Sequence, residues 1–208
     1  MAINSYSTLQ TAVANWLDRD DLSDRIPEFI ALNEAVFNRV LRIRPMETIV
    51  TTPTVGGTKS YDLPTGYVQM REIHLDTSPV TSVQYMTPEM LYRIWAGSSS
   101  GKPSAYSVIG DQIYFGPTPD GGYNYVMTYY KKFDGLSDTS TTNWIILNAP
   151  DVYLYGTLLQ AEPFLMNDQR IPVWERGLRQ AISDLQEQDD KDRHSGSELR
   201  VMNTSGYY

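Results

Sequence analysis

The chain contains no cysteine in its 208 residues. Disulfides and thiolate metal sites are therefore excluded, and nothing in the composition argues for an oxidising compartment. Histidine is scarce as well, with only His74 and His194. A zinc site would have to be built largely from Asp and Glu, which is an uncommon ligand set. No stretch approaches the roughly 20 consecutive apolar residues that a membrane-spanning helix needs. The opening "MAINSYSTLQ" has no basic region followed by an apolar run, so it does not read as a signal peptide. Positive charge is in short supply too. The 17 Lys and Arg are outnumbered by 25 Asp and Glu, for a net charge of −8. That balance argues against nucleic-acid binding by bulk electrostatics. Phenylalanine is rare, with 5 residues against 15 Tyr. Tyrosine combines apolar area with a polar tip, which suits strands and interfaces.

Ordinary globular material is what remains, at 41% hydrophobic and 20% charged residues. The strongest pattern lies near the start, in "DLSDRIPEFIALNEAVFNRVLRIRPME". A first helix is predicted over 7–19, with Leu9, Val13, Trp16 and Leu17 on one face and Ser7 or Thr8 as cap. A second begins at Ser23, accepts Pro27 in its first turn, and is stopped by Pro45. Ile26, Phe29, Ile30, Phe37, Val40 and Leu41 form its stripe. Arg39, Arg42 and Arg44 are expected in its last turns, where cations complement the helix dipole. Asn33 falls inside the stripe and needs a partner if buried.

From 48 to 143 the texture changes to short β-branched and aromatic runs broken by Gly, Pro and Ser clusters. That is the spacing of antiparallel strands and turns. "SVIGDQIYF" reads as a hairpin turning at Gly110 and Asp111, and "TPEMLYRIWAG" as one short helix capped by Thr87. Helices return with "NAPDVYLYGTLLQAEPFLMNDQR", where Asn148 could cap and Pro163 should kink or split the helix. A last helix is predicted over 168–192. Ile171, Trp174, Leu178, Ala181, Ile182 and Leu185 repeat along it at heptad-like spacing. The expected fold is α+β: an antiparallel four-helix bundle, a central antiparallel β-domain insertion and an extended C-terminal tail. The domains would be 1–47 with 144–192 for the bundle, 48–143 for the β insertion and 193–208 for the tail. Trp16, Phe29, Phe37, Leu158, Trp174 and Leu178 are the expected bundle core.

Chemistry is hard to find in these residues. The Asp-rich turn at 18–24 lacks the spacing of a calcium loop. The glycines of "GPTPDGG" and "VGGTKS" match neither a phosphate loop nor a dinucleotide fingerprint. No nucleophile–base arrangement is evident. No carboxylate pair has a spacing that invites a glycosidase reading, the one enzyme class weighed. The expectation is a non-enzyme with no catalytic, cofactor or metal residues and no cofactor.

Two blocks carry a family resemblance. The first is "LQTAVANWLDRDDLSDRIPEFIALNEAVFNRVLRIRPME", with Trp16, Leu17, Arg19, Asp21, Leu22, residues 26–30, Asn38, Arg39, Arg42 and Met46. The second is "NAPDVYLYGTLLQAEPFLMNDQRIPVWE", with Pro150, Asp151, residues 153–155 and 162–165, Asp168, Arg170 and Trp174. Together they resemble the phage head-to-tail adaptor, or connector, family. The plan is also similar to that of tail tubular proteins of short-tailed phages.

The resemblance implies a structural virion protein in the neck between head and tail, made in the host cytoplasm. It would form a dodecameric ring that joins the portal to the tail and continues the DNA ejection channel. Partners implied are other copies of the chain, the portal protein through the helical bundle and tail, and a nozzle or tube protein through the β domain. Neither specific DNA binding nor a membrane is expected. In the tail, Val201, Met202, Tyr207 and Tyr208 are the candidate portal-binding side chains. The alternative within the same class is a tail-terminator or head-closure ring.

Overall fold

A computed structural model describes residues 2–97, 99–165 and 170–193, apart from the side chain of Asp20. In chain order the elements are α1 (Tyr6–Leu17), α2 (Ile26–Val40), β1 (Glu47–Pro53), β2 (Ser60–Asp62), β3 (Tyr67–Leu75), β4 (Thr81–Ser82), β5 (Gln84–Tyr85) and α3 (Pro88–Ile94). They continue with β6 (Ala105–Ile109), β7 (Gln112–Gly116), β8 (Asn124–Lys131), α4 (Trp144–Asn148), α5 (Pro150–Leu165) and α6 (Ile171–Arg193). The chain forms two compact units, one of residues 1–45 and 133–208, the other of 46–132.

This corrects the expected fold. The protein is α+β, but it is not an antiparallel four-helix bundle with a single β insertion. Among the described residues there are six α-helices and two four-stranded sheets. One physical cause is local. The helix read from Asn148 is α5, and a short helix that the sequence reading does not include, α4, precedes it; the two are separate because Pro150 drives the residue before it out of α geometry. Ala149 takes φ −140° and ψ 61°, ending α4, and α5 starts at the proline. Asn148 therefore closes α4 rather than capping α5, and Asn143 is the cap, its side chain accepting from Ile146 N. Pro163 sits inside α5 without splitting it.

In the helical unit α5 is the central element, and α1, α2, α4 and α6 all pack against it. Its buried residues are nearly continuous, Val152, Tyr153, Leu154, Gly156, Thr157, Leu158 and Ala161, so it is enclosed on more than one side. The surrounding helices bury single stripes: Leu9, Val13 and Leu17 of α1, Ile26, Phe29, Ile30, Asn33 and Phe37 of α2, and Trp174, Leu178, Ala181, Leu185 and Asp189 of α6. Gly156 permits the closest approach. A Cβ there would lie 2.0 Å from Asn33 Oδ1.

Helix ends also differ from the expectation. The cap of α1 is Ser5, in a reciprocal capping box with Thr8, rather than Ser7 or Thr8 alone. Helix α2 starts after Arg25 without a side-chain cap and ends at Val40, before Pro45 is reached. Arg42 and Arg44 are therefore beyond the helix. Arg44 falls in a 3-10 turn with Pro45 and Met46.

The other unit is built from two sheets, ordered β1-β8-β3-β4 and β2-β7-β6-β5. All pairs are antiparallel except β5 with β6. The central strands alternate. Tyr125, Met127 and Tyr129 of β8 and Ile73 and Leu75 of β3 meet Tyr106, Ile113 and Phe115 of the other sheet in one core. Two sheets form because both have an apolar face to cover, and each covers the other. The hairpin β6–β7 turns at Gly110 and Asp111, with Gly110 at φ +60°. Thr87 caps α3, which lies on β7, where a Cβ at Gly116 would come within 2.5 Å of the Trp95 ring.

Candidate functional site

His74 Nδ1 of β3 lies 3.6 Å from Glu72 Oε1. In the Asp-rich turn, Asp21 is gripped by both Arg19 nitrogens at 2.6 and 2.7 Å, and Asp18 is the left-handed cap of α1. Among the described residues no three His, Cys, Asp or Glu side chains are placed to hold a metal ion. A cavity lined by Ile43, Pro45, Trp144 and Leu185 measures ≈ 40 Å³, too small for a substrate. A depression of ≈ 300 Å³ lies between residues 63–67 and the hairpin turn, with Lys132 and Asp111 as its charged groups. Among the described residues no helix is long and apolar enough to cross a membrane.

Buried polar groups instead act as fasteners. Asn33 Nδ2 donates to the carbonyl oxygens of Val152 and Tyr153, each at 3.3 Å, tying α2 to α5. Glu34 Oε1 accepts from Leu136 N at 2.7 Å and from the Tyr153 hydroxyl at 3.0 Å. Asn38 Oδ1 accepts from Phe133 N at 2.9 Å. Asn143 Nδ2 donates to the Tyr153 hydroxyl at 2.6 Å. Burial pushes the Glu34 carboxyl above the usual range, against the pull of its two hydrogen bonds. Burial also raises the Tyr153 hydroxyl, and the charge of Glu34 raises it further. At the far end of α6, buried Asp189 accepts from Arg44 N at 2.8 Å and from Arg193 Nε at 2.7 Å, while Arg44 also reaches Asp192. Sequence reading passed over Glu34 and Asp189. The signal for Asp189 was its spacing, four residues after Leu185 on the buried stripe of α6.

The features left for function are surfaces. Phe29, Phe37, Leu158, Trp174 and Leu178 are buried, all in the helical unit. Trp16, grouped with them from sequence, is 45% exposed, with its ring edge-on to Tyr155 at 5.9 Å. The α1 stripe runs through Leu9, Val13 and Leu17, and Trp16 sits about 100° around the helix from Leu17. Val201, Met202, Tyr207 and Tyr208 lie outside the described residues. A surface the sequence did not single out is the back of α2. Ala31, Leu32 and Ala35 are exposed there, Leu32 at 52%, between the exposed charges of Glu28 and Arg39, while Val40, placed on the buried stripe from sequence, is 50% exposed at the helix end. The outward side of α6 is by contrast charged, with Glu175, Arg176, Arg179, Asp184 and Glu187 exposed. The β unit carries its own exposed apolar residues, Ile49 on β1 and Met90 and Ile94 on α3.

A family model described as SU10 adaptor protein matches residues 4–202. No curated protein matches the chain.

Proposed function

Because the chain belongs to the SU10 adaptor family, a phage head-to-tail adaptor family, we propose that it acts as a ring-forming structural part of the virion neck. The ring is dodecameric, joins the portal to the tail and continues the DNA channel. The match over residues 4–202 carries this reading. The exposed Ala31, Leu32 and Ala35 on the back of α2 support it as the contact between neighbouring copies, with Glu28 and Arg39 as a polar rim. The helical unit and residues 193–208 meet the portal, and the β unit meets a nozzle or tube protein of the tail. The role is architectural rather than catalytic, and buried polar fasteners suit it by holding the helices at fixed spacing. A net charge of −8 suits a wall past which DNA must slide without being held. Synthesis occurs in the host cytoplasm.

The test uses purified chain, portal-bearing heads and the variant Leu32→Glu. The wild type is expected to add to heads as a ring visible by electron microscopy. The variant is expected to melt like the wild type, because Leu32 is exposed, yet fail to form the ring. If the wild type ignores portal-bearing heads and binds tails alone, the adaptor reading fails and a tail-terminator takes its place. If Leu32→Glu assembles normally, the back of α2 is not the contact.

A further inference from the structure

Among the described residues most sheet edges are blunted, and one is not. Sheet edges present unpaired backbone donors and acceptors, and native proteins usually guard them with charge, proline, bulges or brevity. Strands β2, β4 and β5 have three residues or two. The part of β3 that β4 leaves uncovered is interrupted twice, between Tyr67 and Gln69 and between Met70 and Glu72, and it carries Arg71 and Glu72. Strand β1 is guarded only at its two ends, by Glu47 and Pro53. Its seven residues pair with β8 in unbroken register, and Thr48 to Thr52 include no charge and no proline.

The hydrogen-bond parity shows what this edge offers. Beyond the strand end, Thr54 N donates to Tyr123 O at 2.8 Å, and on the other side of β8 Asp76 N donates to Asn124 O at 2.8 Å. In an antiparallel sheet a central strand bonds its two neighbours through alternate residues. The odd-numbered residues of β8 therefore serve β1, and its even-numbered ones serve β3. Thr48, Val50 and Thr52 bond inward to β8. Ile49 and Thr51 turn both N–H and C=O to the open edge, where no other described residue bonds them. The side chains alternate in step. Val50 packs on the sandwich core, and Ile49 stands on the outer face, 67% exposed.

A strand that completes this edge must be flat, uncharged for about five residues and β-branched on both faces, with free donors at alternate positions. Among the described strand edges of the chain, β1 itself meets that description. We propose that two copies of the chain join edge to edge through β1, antiparallel about a two-fold axis at Val50, making one continuous eight-stranded sheet from two four-stranded ones. Ile49 of each copy then lies opposite Thr51 of the other, and these pairs exchange about four backbone hydrogen bonds. Val50 faces Val50 as a close, non-bonded pair with Cα atoms about 4.5 Å apart, and covers the open end of both cores. Thr48 faces Thr52, so no charge meets charge. Pro53, which has no N–H, ends the ladder. Such a contact closes on two copies. It uses a different surface from the ring contact on α2 and describes the free chain before assembly, because a two-fold pair cannot persist between neighbours of a cyclic ring.

Absence of native cysteine makes the test direct. Val50→Cys places two sulfurs across the proposed axis at a separation a disulfide accepts, whereas Ile49→Cys would face Thr51. Under mild oxidation of the native full chain, Val50→Cys is expected to give a covalent dimer and Ile49→Cys to stay monomeric. By analytical ultracentrifugation the wild type is expected to pass from one chain mass toward two over roughly 1–100 μM, an interaction of about 5–8 kcal/mol. Thr51→Pro removes an outward N–H only, and Ile49→Lys places a charge on the edge. Both are expected to keep the wild-type melt and lose the dimer. The proposal is overturned if the wild type stays monomeric over that range, which is also the result if the edge awaits a strand from another protein. It is equally overturned if Ile49→Cys cross-links as readily as Val50→Cys, or if both edge variants still pair.

Discussion

Gly156 and Asn33 show how single residues govern this protein. Alanine is normally the better helix former, by about 1 kcal/mol over glycine. At position 156 the added methyl would sit 2.0 Å from Asn33 Oδ1 and 2.6 Å from its Nδ2. Asn33 would have to rotate away and abandon its bonds to Val152 and Tyr153 inside the core. Overpacking of this kind costs roughly 1–3 kcal/mol, and a stranded buried amide costs a similar amount. The clash therefore outweighs the propensity gain, and Gly156→Ala is expected to destabilise the chain. The same change made together with Asn33→Ala is expected to cost less than the sum of the two single variants, because removing the Asn33 amide opens the space the methyl needs. Urea melts of the four proteins measure this, and additive costs would show that the two residues do not touch in solution. Asn33 was legible in sequence as a polar residue on an apolar stripe that needed a partner. That the partner lies on α5 over Gly156 was not, because the contact joins residues about 120 positions apart, and sequence periodicity reports only on one element at a time.

At the scale of elements, faces were easier to read than ends. The stripe of α2 was visible in Ile26, Phe29, Ile30 and Phe37, all buried, but Val40, read as part of it, is 50% exposed where the helix ends. Its end was misplaced because Leu41 and Ile43 fit two periods. Both are buried, with Arg42 between them, in extended chain that begins with Leu41 at ψ 140°. Alternation of period two there is easily read as one more helical turn. Trp16 was misassigned for the opposite reason, since size and apolarity were taken for burial when it flanks the stripe. The two cases predict different mutational costs. Phe37 is 1% exposed and stacks edge-on to Tyr153 at 5.1 Å, so Phe37→Ala is expected to lose about 3–5 kcal/mol. Trp16→Ala gives up mainly one edge-on ring contact and is expected to lose about 1 kcal/mol. Denaturant midpoints at equal m-value decide it, and equal losses would place Trp16 in the core after all.

For the whole molecule, the shift near Thr48 from helical stripes to short aromatic runs was plain in the sequence, but the split of those runs between two sheets was not. Strand β1 pairs with β8, some 75 residues on, and β2 with β7, and an alternating run does not say which partner it will meet. The chain leaves and re-enters its helical unit at one helix. After α2 it runs out through Pro45, and on return Phe133 N is bonded to Asn38 and Leu136 N to Glu34. Both ends of the excursion are thereby fixed by contacts within residues 1–45 and 133–208. We therefore propose that this unit carries its own folding information. Its core has its own central element, since α1, α2, α4 and α6 of the same unit pack against α5. Replacing 46–132 by a short Gly/Ser linker is expected to leave a soluble helical protein that melts cooperatively, at a loop-closure cost that changes only slowly with linker length. The excised 46–132 is expected to fold separately around Phe115, Tyr125 and Met127. Circular dichroism and urea melts of the two pieces test this, with the β piece kept at low concentration so that its β1 edge stays unpaired. A helical piece that melts without cooperativity would mean that the two units depend on one another to fold, and an adaptor built that way could not exchange its β unit while keeping its place in the ring.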